Sequence, residues 1–300
     1  MLWANARLRH RRNLVISHRV AEVRAACPES EAWLGLLEAA LAESERGPRW
    51  EAAVPPVVAG RPVDAPLLHG AEIRVGGAAR AWVRRVLKLL PHPVDPRRID
   101  ALALLEAALS QDDARIDQLA GAAAADAHTL RVVGQVAAMP LLQACNRALH
   151  VQLKHAWWEG YCSVCGAWPT IAEFQGLERR RWLRCGRCGA GWEIGWLRCP
   201  FCGQTDHEGL GYLAPDDGHP TRRVEYCKRC QGYVKGLATV RPFPPWAVVL
   251  EDALTVPLDI AALERGFRRP ERPGYALGVR VVERPARRVS LPFSLGRKAR

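Results

Sequence analysis

Tyr161-Cys162-Ser163-Val164-Cys165-Gly166 opens the stretch whose reading decides how this chain folds. Three further cysteine pairs follow at the same internal spacing: Cys185 with Cys188, Cys199-Pro200-Phe201-Cys202-Gly203, and Cys227 with Cys230. Two intervening residues let both thiolates of such a knuckle reach one ion at about 2.3 Å. Two knuckles complete a tetrahedral four-sulfur site, so four knuckles predict two metal ions per chain. Glycine follows the second cysteine at Gly166, Gly189 and Gly203, where the turn calls for a positive φ that glycine adopts without strain. The fourth knuckle departs from this, with Gln231 ahead of Gly232. The segment is short of apolar core, so metal is expected to supply much of its folding free energy.

The gaps between successive knuckles are 19, 10 and 24 residues. A gap of the first size suits a ribbon hairpin and favours sequential pairing. Site one is then Cys162, Cys165, Cys185 and Cys188, and site two is Cys199, Cys202, Cys227 and Cys230. A cross-braced arrangement, first knuckle with third and second with fourth, is the alternative. Zinc and iron both accept four thiolates in a tetrahedron, so the spacing does not choose between them. A redox dithiol of the thioredoxin kind needs one Cys-x-x-Cys at a helix start in a βαβ setting, which four evenly used pairs do not resemble. Cys27 and Cys145 stand alone and read as buried thiols on helices. His150 and His155 read as packing or capping residues, since a four-thiolate site needs no histidine.

Upstream, residues 1–158 read as a helical domain. Ser30 can cap a helix over the apolar run from Glu31, and Pro55, Pro56, Pro62 and Pro66 mark a long connection. Ala78 to Leu90, Asp100 to Leu109 and Asp113 to Ala125 follow as amphipathic or Ala/Leu-rich helices. The run from Val132 to Trp158 is apolar on most faces and predicts a central buried helix that Pro140 kinks or divides. From Gly160 the pattern changes to short strands and glycine turns. Trp168, Trp182, Trp192 and Trp196 are expected to cover the knuckles in place of a larger core. The fold class is therefore α+β: a helical domain over 1–158, then two tandem rubredoxin-like or zinc-ribbon modules over 159–198 and 199–240. A helical segment over 241–267 and a basic, poorly ordered tail over 268–300 complete the chain.

Of the 300 residues, 49% are hydrophobic, ample for a core, and the formal charge is +12. Ten Arg/Lys against two Glu from Arg268 onward hold most of that excess. Arg11-Arg12 invites an export reading, but Ser17, His18 and Arg19 cut the following apolar run short, so a cytoplasmic protein without a membrane span is expected. No Ser/His/Asp constellation, phosphate loop or dinucleotide fingerprint is visible, which speaks against an enzyme.

The knuckle region resembles the FdhE family of formate dehydrogenase accessory (formation) proteins. The resemblance rests on Tyr161 to Pro169, on Arg181-Trp182-Leu183-Arg184-Cys185-Gly186-Arg187-Cys188, on Trp192 to Gly203, and on Glu225 to Lys235. Ser163 stands where the family usually carries proline, and the arginine-rich stretch after Arg268 is also unlike it. What the resemblance implies is a cytoplasmic maturation helper, a chaperone-like protein and not an enzyme. It would bind the catalytic subunit of a formate dehydrogenase and be needed for its activity, with the eight knuckle cysteines holding two ions of iron or zinc. Two other readings stand beside it. Arg184, Arg187, Arg198, Lys228, Arg229 and the basic tail suit a nucleic-acid-binding zinc ribbon, although no recognition-helix pattern accompanies them. Iron in four-thiolate sites would suit a rubredoxin-like electron carrier.

Overall fold

The computed structural model describes residues 2–90, 94–153, 155–214 and 221–285, with residues 2–11 as backbone alone. The helical half comprises α1 (Leu2–Ala26), α2 (Glu31–Ser44), α3 (Pro48–Glu51), strand β1 (Glu72–Val75), α4 (Gly77–Lys88), α5 (Ala101–Ser110), α6 (Asp113–Ala123) and α7 (Ala127–Leu149). Three aspartates start the last three helices. Asp100 Oδ1 accepts from the Leu102 and Ala103 amides, Asp112 Oδ1 from Arg115 and Asp126 Oδ2 from Thr129, each satisfying amides that a helix start leaves unpaired. Ser30 is not such a cap: its side chain makes no capping bond, because Pro28–Ser30 form a 3-10 turn that leads into α2 by backbone contacts.

The central helix is α7, against which α2, α3, α4, α5 and α6 pack. It ends at Leu149, short of the Trp158 expected from the apolar run, and a 3-10 turn at His150–Gln152 follows. Pro140 lies inside it, buried, without dividing it.

Beyond Gly160 come β2 (Ile171–Gln175), β3 (Arg180–Arg184), β4 (Gly191–Glu193), β5 (Leu210–Leu213), β6 (Arg222–Cys227) and β7 (Tyr233–Thr239). They form one six-stranded sheet in the order β4-β3-β2-β7-β6-β5. Each knuckle pair contributes an antiparallel half, and the halves join where β2 and β7 run parallel, Ile171 opposite Lys235 through Gln175 opposite Thr239. The two tandem modules expected from the sequence are thus fused edge to edge.

The pairing gives the sheet two faces. On one, Ile171, Val224, Tyr233 and Leu237 pack against α8 (Val248–Leu254) and α9 (Val256–Glu264). Two ionic clusters lock this layer. Lys235, fully buried, reaches Asp252 Oδ1 and Asp259 Oδ2 at 2.6 Å, and Arg269 bridges the same two carboxylates at 3.0 Å. Glu173, also fully buried, pairs with Arg184 and accepts from the Phe243 amide at 2.7 Å. Glu173→Ala leaves the Arg184 guanidinium buried without its counter-charge. It should cost about 3–5 kcal/mol, read as a lowered guanidinium midpoint of the metal-loaded chain.

The segment expected to trail as a disordered tail from residue 268 is placed as far as residue 285. Arg268 bridges to Gly232, and the Tyr275 amide donates to Gly166 O at 2.9 Å. Strand β8 (Arg280–Glu283) then pairs in parallel with β1, more than 190 residues away in sequence. A short β-branched run finding a complementary alternating strand overrides the charge of the region. Residues 286–300 lie outside the described residues.

Candidate metal centres

All four knuckles close by the same backbone turn. The amides of Cys162, Cys185, Cys199 and Cys227 donate to the carbonyls of Ala167, Ala190, Gln204 and Gly232, at 2.8–2.9 Å. In the first three, the glycine amide returns to the first cysteine's carbonyl, with φ between 68° and 77°. Gly166 has a second reason to be glycine, since a Cβ there would lie 2.7 Å from Tyr275 O. Gln231 takes the same left-handed conformation at φ 56°, and its side-chain amide donates to Lys228 O at 2.8 Å. The departure in sequence keeps the left-handed turn.

The turns bring the sulfurs together in sequential pairs. Cys162, Cys165, Cys185 and Cys188 form one group, and Cys199, Cys202, Cys227 and Cys230 the other, each with its sulfurs within 4.8 Å of one another. In the first, Sγ–Sγ separations are 3.5 Å for Cys162–Cys188 and Cys165–Cys185, and 3.8 Å for Cys165–Cys188. In the second they are 3.6 Å for Cys199–Cys230 and 3.7 Å for Cys202–Cys227. A tetrahedron with bonds of about 2.3 Å has edges near 3.8 Å, so both groups fit a four-thiolate ion of the zinc or iron kind. Each group could hold one metal ion. Neither His150 nor His155 belongs to either group.

Electrostatics explain why bare thiols are uncomfortable here. Burial pushes the Cys162 and Cys188 thiols well above the usual range, while Cys185 is held well below it by hydrogen bonds from Cys162, Cys165 and Cys188. Burial also raises Cys199, against the Phe201 and Cys202 amides that point at its sulfur, and raises Cys230 to about 11. Packing four such groups favours a cation that takes all four as thiolates.

The two groups differ in surroundings. The first is fully buried and belongs to the same apolar core as α2, α5 and α7. The loop before β1 donates to it through the Leu67 and Leu68 amides, to Ser163 O at 2.8 Å and Val164 O at 3.2 Å. Gln111 reaches Cys165 O at 3.3 Å, and Arg187 donates to Ala108 O at the end of α5. Ser163 sits in this junction, buried, its backbone engaged by the helical half. In the second group Cys202 is half-buried and Cys230 lies at the surface. Chelation should therefore release metal in two phases. The ion of the second group is expected to leave early, while the helical half stays folded, and that of the first group only on unfolding. A chromogenic chelator followed in time checks this, and Cys202→Ser with Cys230→Ser should remove the fast phase alone.

The lone cysteines part company. Cys145 is buried on α7 close to Cys165, and burial pushes its thiol up to about 12. Cys27 is half-buried and lies just beyond α1. Of the tryptophans expected to cover the knuckles, Trp192 is buried and Trp168 meets Phe201 edge-on at 5.3 Å, but Trp196 is 49% exposed. That exposure was not legible from composition.

No family model matches the chain. It is similar to the Protein FdhE homolog of Aquifex aeolicus, 31% identical over 126 residues, which is 41% of this chain and 44% of that protein. It is also similar to Protein FdhE of Escherichia coli, 32% identical over 114 residues, 36% of this chain and 35% of that protein. The matches span less than half the length of either curated relative. The crystal structure of the FdhE protein from Pseudomonas aeruginosa shares the fold, with a TM-score of 0.52 and 18% identity over 87% of this chain and 95% of that one.

Proposed function

We propose that this chain, tied to the FdhE family by its curated homologues and its fold, is a non-catalytic accessory protein of formate dehydrogenase. In this reading it binds the catalytic subunit of that enzyme in the cytoplasm and is needed for its activity. The observation that carries the proposal is the pair of four-thiol groups joined through one sheet and set against a helical body. Cys162, Cys165, Cys185 and Cys188 would hold one ion, and Cys199, Cys202, Cys227 and Cys230 the other. Such an ion, when bound, supplies folding free energy and a rigid staple; with four protein sulfurs around it, it offers no open position for a substrate. The chain's own residues then do the recognising, through the surface that the stapled knuckles present. No helix among the described residues is long and apolar enough to cross a membrane, which suits a helper that meets its client before insertion or export. Affinity capture with the full chain tests the proposal: the catalytic subunit of a formate dehydrogenase should dominate the eluate, and its absence would contradict the reading.

A further inference from the structure

We infer that the cavity between the second metal centre and the sheet docks an extended client segment in which a carboxylate sits beside apolar side chains. The inference rests on the accessory reading above and supplies the chemistry that reading leaves open. The cavity lies on the sheet face opposite α8 and α9, where the loop carrying Trp196 to Phe201 passes over β5 and β6. Its volume is about 250 Å³, below the roughly 300–1,000 Å³ of small-molecule and cofactor sites. It suits one or two side chains of a longer ligand.

Its charge is unbalanced. Glu225 Oε2 accepts from Arg181 Nε at 2.9 Å and Glu225 Oε1 accepts from Arg223 Nη2 at 2.7 Å, so two guanidiniums share one carboxylate. The three side chains are only 3%, 22% and 17% exposed for Arg181, Arg223 and Glu225. Arg198 also lines the cavity and has no ion-pair partner among the described residues. Arg181 is satisfied further by Gly195 O and Arg198 O. Arg223 is not: its Nε is buried with no hydrogen-bond partner. A guanidinium that shares its only carboxylate with a neighbour calls for a further anion at its remaining edge, and a carboxylate supplies both acceptor and counter-charge.

Arg223 is also held in place. Its guanidinium lies 3.9 Å from the Phe174 ring centroid, with Trp196 at 5.4 Å and Tyr212 at 5.6 Å. Gly236, its partner across β6 and β7, makes this possible, since a Cβ there would lie 2.8 Å from Arg223 Cγ. A pre-set cation loses little freedom on binding. Around it Trp196, Leu197 and Tyr212 stand 49%, 59% and 64% exposed, an apolar rim that a free small anion would leave uncovered. A second cavity shares Arg181 and Trp196 and continues the groove past Trp182 and Trp158. An extended peptide can follow both. Cys199 and Cys227 form part of the first cavity's wall, which places the docking site directly on the second metal centre.

The test uses the full, metal-loaded chain and three sets of short fluorescent peptides with the same randomised apolar flanks and a central Asp, Asn or Lys. Anisotropy should show the Asp set binding about tenfold tighter than the Asn set, as charge-assisted bonds outweigh neutral ones, and the Lys set weakest. Arg223→Gln should erase the Asp preference, so that the Asp and Asn sets bind alike. Tyr212→Ala, at an exposed position that spares the fold, should weaken both sets. Equal binding of all three sets, no binding, or complete displacement of the Asp set by millimolar acetate would overturn the inference. Capture of the catalytic subunit run alongside separates the two claims. A wild-type chain that keeps the Asp preference yet captures no subunit counts against the accessory role alone. Equal capture by wild type and Arg223→Gln without any Asp preference counts against the cavity alone.

Discussion

Cys162→Ser combined with Cys165→Ser is expected to abolish the cooperative fold of the whole chain, helical half included. The reason lies in where the first centre sits. Its four cysteines are fully buried in the core that also contains Leu37 of α2, Leu104 of α5 and Leu142 of α7. Backbone bonds from Leu67 and Leu68 and the Arg187 bond to Ala108 tie it to the same body. A structural four-thiolate ion contributes about 10–16 kcal/mol in small zinc domains, against total stabilities of about 5–15 kcal/mol. Losing it leaves two serine hydroxyls beside two thiols in an apolar core, with nothing to offset them. The sequence changes pattern at Gly160, and the apolar core runs across that change. Cys199→Ser with Cys202→Ser should behave differently, because the second centre lies outside that core and two of its cysteines are accessible. Helical circular dichroism and limited proteolysis compare the two. The first pair should lose helicity throughout, and the second should lose protection only across the knuckles after Leu197 and the β5–β6 hairpin.

Deletion of the chain from the cell is expected to reduce formate dehydrogenase activity to background while the transcript of the enzyme persists. Losing a helper that acts on the folded or assembling subunit leaves synthesis untouched and removes the active product. The second-centre variant, still folded through its helical half, should fail to restore activity, since the docking surface is built on Cys199 and Cys227. Near-normal activity in the deletion strain would contradict the accessory role.

Much of the candidate site was legible because its chemistry is local. Each knuckle is closed by bonds within six residues, so Cys-x-x-Cys-Gly predicts the turn that brings its two sulfurs together. The Gln231 exception was readable as a position but not as a conformation. What escaped the sequence was non-local. Nothing in Ile171–Gln175 or Tyr233–Thr239 announces that they pair in parallel across some sixty intervening residues and fuse the two modules. The apolar run past Leu149 looks helical, yet its tryptophans leave the helix to line a groove. Strand β1 carries a plain alternation, Glu72-Ile73-Arg74-Val75, with the second and fourth residues buried; that signal was available and passes unnoticed inside a proline-rich connection. Its partner β8 hides within an arginine-rich stretch whose charge suggests disorder. The Arg181–Glu225–Arg223 cluster needs residues from β3 and β6, strands that are not neighbours, and only the folded sheet assembles it.

The most direct measurement is the native mass of the complex captured from the cytoplasm with the full chain. The account predicts one species made of this chain, two metal ions and the catalytic subunit of a formate dehydrogenase. A complex containing the metal-free chain, or a chain with two ions and no such subunit, would contradict it.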